Sequence, residues 1–483
     1  MVDRESVVSN AKYLRNVRPI DPDEICEYVT GQPHPAVVRQ VLREEAVALG
    51  LVEQDDGTFA PVSERPVETT VDVVESLPET YVEALDELLM DRYGYEWASG
   101  DAGDGLRLTI RRLKDDYYQR RQVEYDTDVA LGYAIYHLPD FYAAVQYVLN
   151  DLVAKRLLPR ELRVLDVGAG VGGPALGIAD YLPDDALVDY HAVEPSAATE
   201  VLEALLAETG PNVHTTVHET TAEAFEPERE YDLVLFANVL NELDDPEVVL
   251  RRYLDHVAAD GSLVALAPAD RNTSTGLREL ERAVADSGAS DAPTVYAPTV
   301  RLWPNETPTD RGWSFDVRPD LAVPAFQRRL DERPADDADP DADREPADGE
   351  FVNVDVQFSY SVLRHDDERL LDVTPSPNTY AKMAAMDDHV SNRIDLLAVK
   401  LSHDLSPEDR DANPLFKIGD GSESEDNYAV LVRETAGNAD LAAADYGDLL
   451  AFDGVLALWN DDEDSYNLVV DEETVVDRIP KPV

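Results

Sequence analysis

Apolar positions recur at helical spacing through the first third of the chain and at strand spacing, or in unbroken runs, through most of the rest. Pro22 to about Thr30 predicts a short helix, and His34 to about Leu49 a second one ended by Gly50. Leu51 to Pro61 then predicts a hairpin turning at Asp56-Gly57. Helix, helix, hairpin is a winged-helix-like module, assigned to residues 1–66. Residues 67–160 read as a helical region. A helix there is expected to break before Pro139, since proline supplies no backbone donor, and the next to carry Tyr142 toward the pocket. From Leu162 strand and helix alternate. Val188–Val193 reads as a strand, Asp232–Asn238 and Gly261–Ala267 are apolar enough for a parallel sheet covered on both faces, and Val352–Leu363 alternates like a closing antiparallel strand. Residues 385–483 predict five strands with a helical stretch, Leu441 to Leu450, between the third and fourth. That order suits an OB-like β-barrel. The expected fold class is α/β: a Rossmann-like domain over 161–365, with winged-helix-like and helical modules before it and a barrel after it.

The turn Val164-Leu-Asp-Val-Gly-Ala-Gly-Val-Gly-Gly-Pro174 carries the clearest chemistry. A strand runs through Asp166 into Gly168, Ala169, Gly170 and Gly172, and a helix opens at about Pro174. Glycines let backbone approach a ligand closely, and Glu194, ending the next strand, suits a ribose diol. Two cofactor classes fit. A dinucleotide would set its pyrophosphate over the helix start, where Asp166 repels it. S-adenosylmethionine instead brings an ammonium and a sulfonium, which Asp166 attracts. The dinucleotide pocket, and a glycine turn that binds nothing, remain as alternatives.

Charge changes the picture of partners. The chain has 483 residues and a formal net charge of −59, with acids spread along its whole length and 44% apolar residues, enough for real cores. Such composition resembles proteins of salt-accumulating halophiles. In multimolar salt, with a Debye length of about 3 Å or less, net charge does not exclude RNA. An acidic nucleic-acid mimic, or a binder of basic proteins, is the rival reading. Arg107, Arg111, Arg112, Lys114, Arg120 and Arg121, interleaved with Tyr117, Tyr118 and Tyr125, form either an RNA contact or a helix face paired with Asp115, Asp116 and Glu124. Asp331 to Glu350 (331–350) reads as a disordered acidic insertion. Cys26 is the only cysteine, which excludes disulfides within the chain and any cysteine-ligated iron–sulfur cluster. No signal peptide or long apolar run is evident, so a cytoplasmic protein without membrane contact is expected.

Four pieces together resemble one family, the small-ribosomal-subunit assembly methyltransferase-like proteins. They are Tyr133-Ala-Ile-Tyr-His-Leu-Pro-Asp-Phe-Tyr-Ala-Ala144, Leu165-Asp-Val-Gly-Ala-Gly170, Asn238-Val-Leu-Asn-Glu-Leu243 and Phe358-Ser-Tyr360. The resemblance covers about 130–365 and implies a class I S-adenosylmethionine fold acting on the small ribosomal subunit or its rRNA, in ribosome assembly and translation. Two departures stand out. Relatives' cluster-ligating cysteines are absent, the matching stretches reading Ala297-Pro-Thr-Val-Arg-Leu-Trp-Pro304 and Gly312-Trp-Ser-Phe315, and the usual Glu-Pro-Gly reads Ala267-Pro-Ala269. The expected cofactor set is Asp166, Gly168, Ala169, Gly170, Gly172, Glu194, Thr221, Ala222 and Asn238, and no metal is expected. Asn238, Asn241 and Glu242 are the candidate catalytic groups, although Asn241 and Glu242 read equally well as caps of the next helix. A non-catalytic assembly factor and a small-molecule methyltransferase stay open as other readings.

Overall fold

The computed structural model describes residues 3–119, 121, 123–332, 349–407 and 412–480. It divides into two compact units, the first running to Leu235 and taking in Pro319–Val356, the second comprising Phe236–Arg318 and Gln357 onward.

In the first unit, α1 (Arg4–Leu14), α2 (Pro22–Tyr28), α3 (Pro35–Glu44) and α4 (Ala46–Leu49) precede a hairpin of β1 (Leu51–Glu53) and β2 (Phe59–Pro61). Asp3 and Asp21 cap α1 and α2, and Gly50, with φ +60°, ends α4 in the left-handed conformation glycine tolerates. Val7, Ile20, Ile25, Val38, Leu42 and Phe59 form the shared core. Helix α1 went unpredicted, since Asp3, Glu5 and Asn10 leave its apolar face thin. Cys26 is buried in that core, its Sγ donating to the Pro22 carbonyl at 3.1 Å.

Next come α5 (Glu79–Tyr93), α6 (Gly100–Tyr118) and α7 (Thr127–Ala154). The predicted break before Pro139 does not occur; α7 runs straight through it. Proline frees carbonyls one turn back, and the fold satisfies them from elsewhere. Gln327 Nε2 donates to the Ile135 carbonyl at 2.8 Å, and Asn353 Nδ2 to that of Tyr136 at 3.0 Å. Tyr142 is likewise corrected. It is buried, and its hydroxyl shares the Asp180 carboxylate with Tyr81 (2.9 and 2.8 Å), pinning helices together.

The basic stretch turns largely to the protein's own groups. Arg107 is 1% exposed and donates to the Leu330 and Ala98 carbonyls. Arg111 grips Glu350 with two bonds of 2.7 Å, and Lys114 donates to the Glu350 carbonyl. Arg112 and Arg121 flank Asp116. Arg120 and the Tyr118 side chain lie outside the described residues, as do 333–348 of the acidic run. The shoulders of that run are ordered: Asp331 accepts from the backbone of Gly349 and Phe351.

A parallel sheet follows, built from β3 (Glu161–Val167), β4 (Leu187–Val193), β5 (Val213–His218) and β6 (Tyr231–Ala237) in the order β5-β4-β3-β6, with α8 (Gly173–Tyr181) and α9 (Ala198–Leu206) as crossovers. The boundary between the units falls inside β6.

The second unit contains α10 (Pro246–Leu254), β7 (Val257–Pro268), α11 (Arg271–Ala285), β8 (Thr294–Ala297), β9 (Asp316–Arg318) and β10 (Val356–Arg364). Strand β10 lies antiparallel between β7 and β8, as its alternation predicted. The C-terminal strands β11 (Arg393–Lys400), β12 (Leu415–Gly419), β13 (Asp426–Leu431), β14 (Leu449–Asn460) and β15 (Ser465–Val470) close into a five-stranded barrel through the β11–β14 pairing, and β16 (Val475–Ile479) adds to β14. The helix before β14 is shorter than predicted. It covers Asp440–Ala443 only, because Lys400 Nζ takes the Leu441 and Ala444 carbonyls while Leu449 and Leu450 pair with β11. Among the described residues no helix is long and apolar enough to cross a membrane.

Candidate functional site

The first unit assembles most of the predicted cofactor residues at the carboxyl ends of β3 and β4. After Val167 the chain turns through Gly168, Gly170 and Gly172 at φ +74°, +53° and +93°, angles that only glycine takes without strain. The Gly168 and Ala169 N–H groups donate to the Val193 carbonyl at 2.8 and 3.2 Å, folding the turn back over β4. A Cβ on Gly170 would meet nothing within 4 Å, whereas one on Gly172 would strike Leu202. The turn therefore offers bare backbone on one side and packs hard on the other.

Glu194 braces this turn. One carboxylate oxygen accepts from Gly170 N at 2.9 Å and the other from Ser196 N at 3.0 Å. A carboxylate has about four acceptor positions, so lone pairs remain for a ribose diol. Asp166 lies beneath the turn, fully buried. One of its oxygens accepts the Tyr190 hydroxyl, and the other, Oδ1, has no partner. Burial pushes its carboxyl up to about 7, with Glu194 adding to the rise and Tyr190 opposing it. An unpartnered buried acceptor costs about 1–3 kcal/mol, so a donor or cation nearby is rewarded. That fits the cationic end of S-adenosylmethionine and opposes a pyrophosphate.

Thr221 and Ala222 follow β5 in a tight turn, Thr221 exposed with its hydroxyl accepting from Ala224 N, and Ala222 buried. In the second unit Asn238 ends β6 at φ +59°, a left-handed conformation sparsely used outside glycine and enriched at functional positions. Its N–H donates to the Leu266 carbonyl at 3.0 Å. Asn241 and Glu242 lie in an exposed 3₁₀ turn, Leu240–Glu242. They do not cap α10; Asp245 does, accepting from Val248 N.

Several groups beside the turn escaped the sequence reading. Tyr190 shows no signal beyond its place in an apolar strand. Tyr133, His137 and Phe141, at a four-residue spacing, did carry one: they line one face of α7. The stretch Ala297-Pro-Thr-Val-Arg-Leu-Trp-Pro304 is held by charge and indole contacts. Arg301 pairs with Asp286 at 2.7 Å and Trp303 Nε1 donates to Asp420 at 2.7 Å.

Residues 141–292 match a family described as a methyltransferase domain. Residues 4–55 and 384–479 match the N-terminal and C-terminal domains of a family described as a domain of unknown function, DUF8157. No curated protein matches the chain. Similar solved structures include the sugar N-methyltransferase KedS8 from Streptoalloteichus sp., 24% identical over 26% of this chain and 47% of that one, TM-score 0.21. A S-adenosylmethionine-dependent methyltransferase from Clostridium acetobutylicum is 12% identical over 32% and 56%, TM-score 0.23. The plantazolicin methyltransferase BpumL, solved with SAH, is 13% identical over 59% and 99%, TM-score 0.30. The chain thus spans about half the length of the first two. The glycine turn, the β5-β4-β3-β6 order and the matched domain together make this a class I methyltransferase fold, with a closed β-barrel at its C-terminal end.

Proposed function

We propose that the protein is a S-adenosylmethionine-dependent methyltransferase, with the glycine turn after β3 as its cofactor site. The main support is the unpartnered Asp166 Oδ1 buried beneath that turn, with Glu194 bracing it from the end of β4. When bound, the cofactor supplies a methyl group on a sulfonium that is already a good leaving group. This chain's residues then have the tasks of binding, alignment and exclusion of water. Glu194 would hold the ribose hydroxyls, Gly168 to Gly172 would let the ligand lie against backbone, and Asp166 would favour the cationic end. Thr221, Ala222 and Asn238 complete the proposed binding set, and Asn238, Asn241 and Glu242 the proposed acceptor-facing groups.

For the acceptor we propose the small ribosomal subunit or its rRNA. Support comes from the four motif pieces, from the barrel and from the helix-and-hairpin module at the start, taken as a winged helix. An assembly factor that keeps the pocket without transferring methyl is the second form of the same proposal. A small-molecule acceptor is favoured by a different observation, the inward turn of Arg107, Arg111 and Lys114.

Calorimetric titration with S-adenosylmethionine in multimolar KCl tests the pocket. Micromolar binding supports it, and absence of binding by the folded chain removes it. Labelled-methyl transfer to ribosomal subunits and to the small-molecule fraction of a cell extract then separates the acceptors.

A further inference from the structure

The cofactor-holding residues leave the aromatic row on α7 without a task, and the row stands beside them. Ring centroids lie 4.9 Å apart for Tyr133 and His137, and 5.0 Å apart for His137 and Phe141, whose planes differ by 13°. Tyr125 extends the row, 5.6 Å from Tyr133. Both ends are tied to the glycine-turn side of the unit. A Cβ on Gly173 would sit 2.9 Å from the Phe141 Cβ and 3.2 Å from the Leu138 carbonyl, so α7 and α8 meet with nothing between them. At the other end the Tyr125 carbonyl accepts from Ala197 N, beside the Ser196 that Glu194 holds. The row therefore runs from the glycine turn to the Glu194 loop, and its rings are only half-buried.

His137 is the one titratable imidazole in this row. Its Nδ1 is 3.4 Å from Asp140 Oδ2, one turn along the helix, and 3.4 Å from Asn353 Nδ2. Asp140 Oδ1 is buried without a partner. The Asn353 amide has the Tyr136 carbonyl and Asp140 to donate to, so the Nδ1 proton is directed at Asp140 and Nε2 presents a lone pair. The side chain is 32% exposed, and no described residue bonds Nε2. We propose that the aromatic row walls the methyl-acceptor cleft and that His137, oriented by Asp140, takes the acceptor's proton. The proposal rests on the S-adenosylmethionine site above. An N–H or O–H acceptor held against the row attacks the methyl carbon with its lone pair. The carbon–sulfur bond breaks with its electron pair going to sulfur, and the acceptor's proton passes to Nε2. The imidazolium so formed is matched by Asp140, as in other carboxylate–histidine pairs. The groups facing His137 are Asp140, Tyr133 and Tyr136 from α7 and Asn353 from the segment against it, with Lys114 Nζ from α6 lying over the Tyr136 ring at 4.0 Å.

The test is an NMR titration of the full chain with labelled histidine in multimolar KCl, the His137 resonance being assigned from His137→Gln. Sinefungin, which carries an ammonium, should move that resonance. His137→Gln should bind sinefungin within about twofold of wild type yet lose labelled-methyl transfer by roughly 10²–10⁴-fold. Sinefungin binding that leaves the His137 resonance unmoved, with transfer intact in His137→Gln, overturns the proposal and spares the methyltransferase reading. Failure of the folded chain to bind sinefungin overturns both.

Discussion

Asp166 gives the sharpest test of the site, because its burial has a stability consequence that needs no ligand. Its carboxyl is fully buried and pushed up to about 7, against an ordinary value of 3.8. An acid whose folded-state pKa is raised favours the fold when protonated. The stability it permits is complete below the unfolded value and is lost as pH rises through the folded one. The window therefore runs from about pH 4 to about pH 7. At about 1.4 kcal/mol per unit, ionising Asp166 in the ligand-free fold costs on the order of 4 kcal/mol. Asp166→Asn cannot ionise, and its carboxamide oxygen can still accept from Tyr190. The variant should thus become progressively more stable than wild type as pH rises from about 4 to about 8, by up to about 4 kcal/mol. Hydrogen exchange of the β3 and β4 amides, read at matched pH in both proteins, measures the difference directly. The same variant should bind S-adenosylmethionine less tightly, and wild-type affinity should rise with pH through about 7 as the carboxylate forms, while the variant's stays flat. Parallel exchange profiles from pH 4 to 8 would mean that Asp166 is solvated and ordinary, and the argument for a cation above it would fall.

Glu194→Ala should lose about 1–3 kcal/mol of S-adenosylmethionine affinity by calorimetry, through the lost charged hydrogen bonds, and unchanged affinity would place the ribose elsewhere. Gln327→Ala strips the donor from the Ile135 carbonyl left by Pro139, so denaturation should show a loss of about 1–3 kcal/mol; Gln327→Glu, which keeps the size but not the donor, should do no better. Gly177→Ala would drive a methyl into the Tyr142 carbonyl and Val145, and should cost about 1–3 kcal/mol or more in thermal unfolding, whereas Gly210→Ala, where a Cβ meets nothing, should be close to neutral.

The legible parts of the chain were those in which one segment settles its own structure. Apolar runs and a glycine turn specify β3, β4, β6 and β7 locally, and the alternation of residues 352–363 gave the antiparallel β10. The five barrel strands follow from the same periodicity, whereas the helix expected over Leu441–Leu450 is confined to Asp440–Ala443. Failures came where distant residues intervene. Pro139 should end a helix, and only Gln327 and Asn353, far along the chain, let α7 continue. Helix α1 draws its stability from packing on Ile25, Val38 and Leu42 rather than from its own pattern. In the candidate site, the glycines were legible because a positive φ demands them, and the acids because each stands at or just past the end of a strand. The pairing of Asp140 with His137 was not, since nothing in a single sequence sets a helical histidine–aspartate spacing apart from an ordinary polar face.

The placement of the cations bears on the acceptor. With 41 lysines and arginines against 100 acids, each buried cation is one fewer available to phosphate. Arg107, Arg278, Arg364 and Lys417 are all at most 1% exposed. Arg364 is held by Asp366, Ser262 and the Asp260 carbonyl, Arg278 by Glu281 and the Tyr360 carbonyl, and Lys417 by Asp310 and Asp426. Freeing any of them would strand a buried charge at a cost of about 3–5 kcal/mol, so they cannot swing out to meet a backbone. What the α7 face offers instead is a row of rings. An RNA acceptor would then be held by stacking and shape, and its affinity should change little between roughly 1 and 3 M KCl, since few counterions are released. Filter binding of small-subunit rRNA across that range measures the slope. A steep loss of affinity with salt would mean that several phosphates are gripped by exposed arginines such as Arg112 and Arg121.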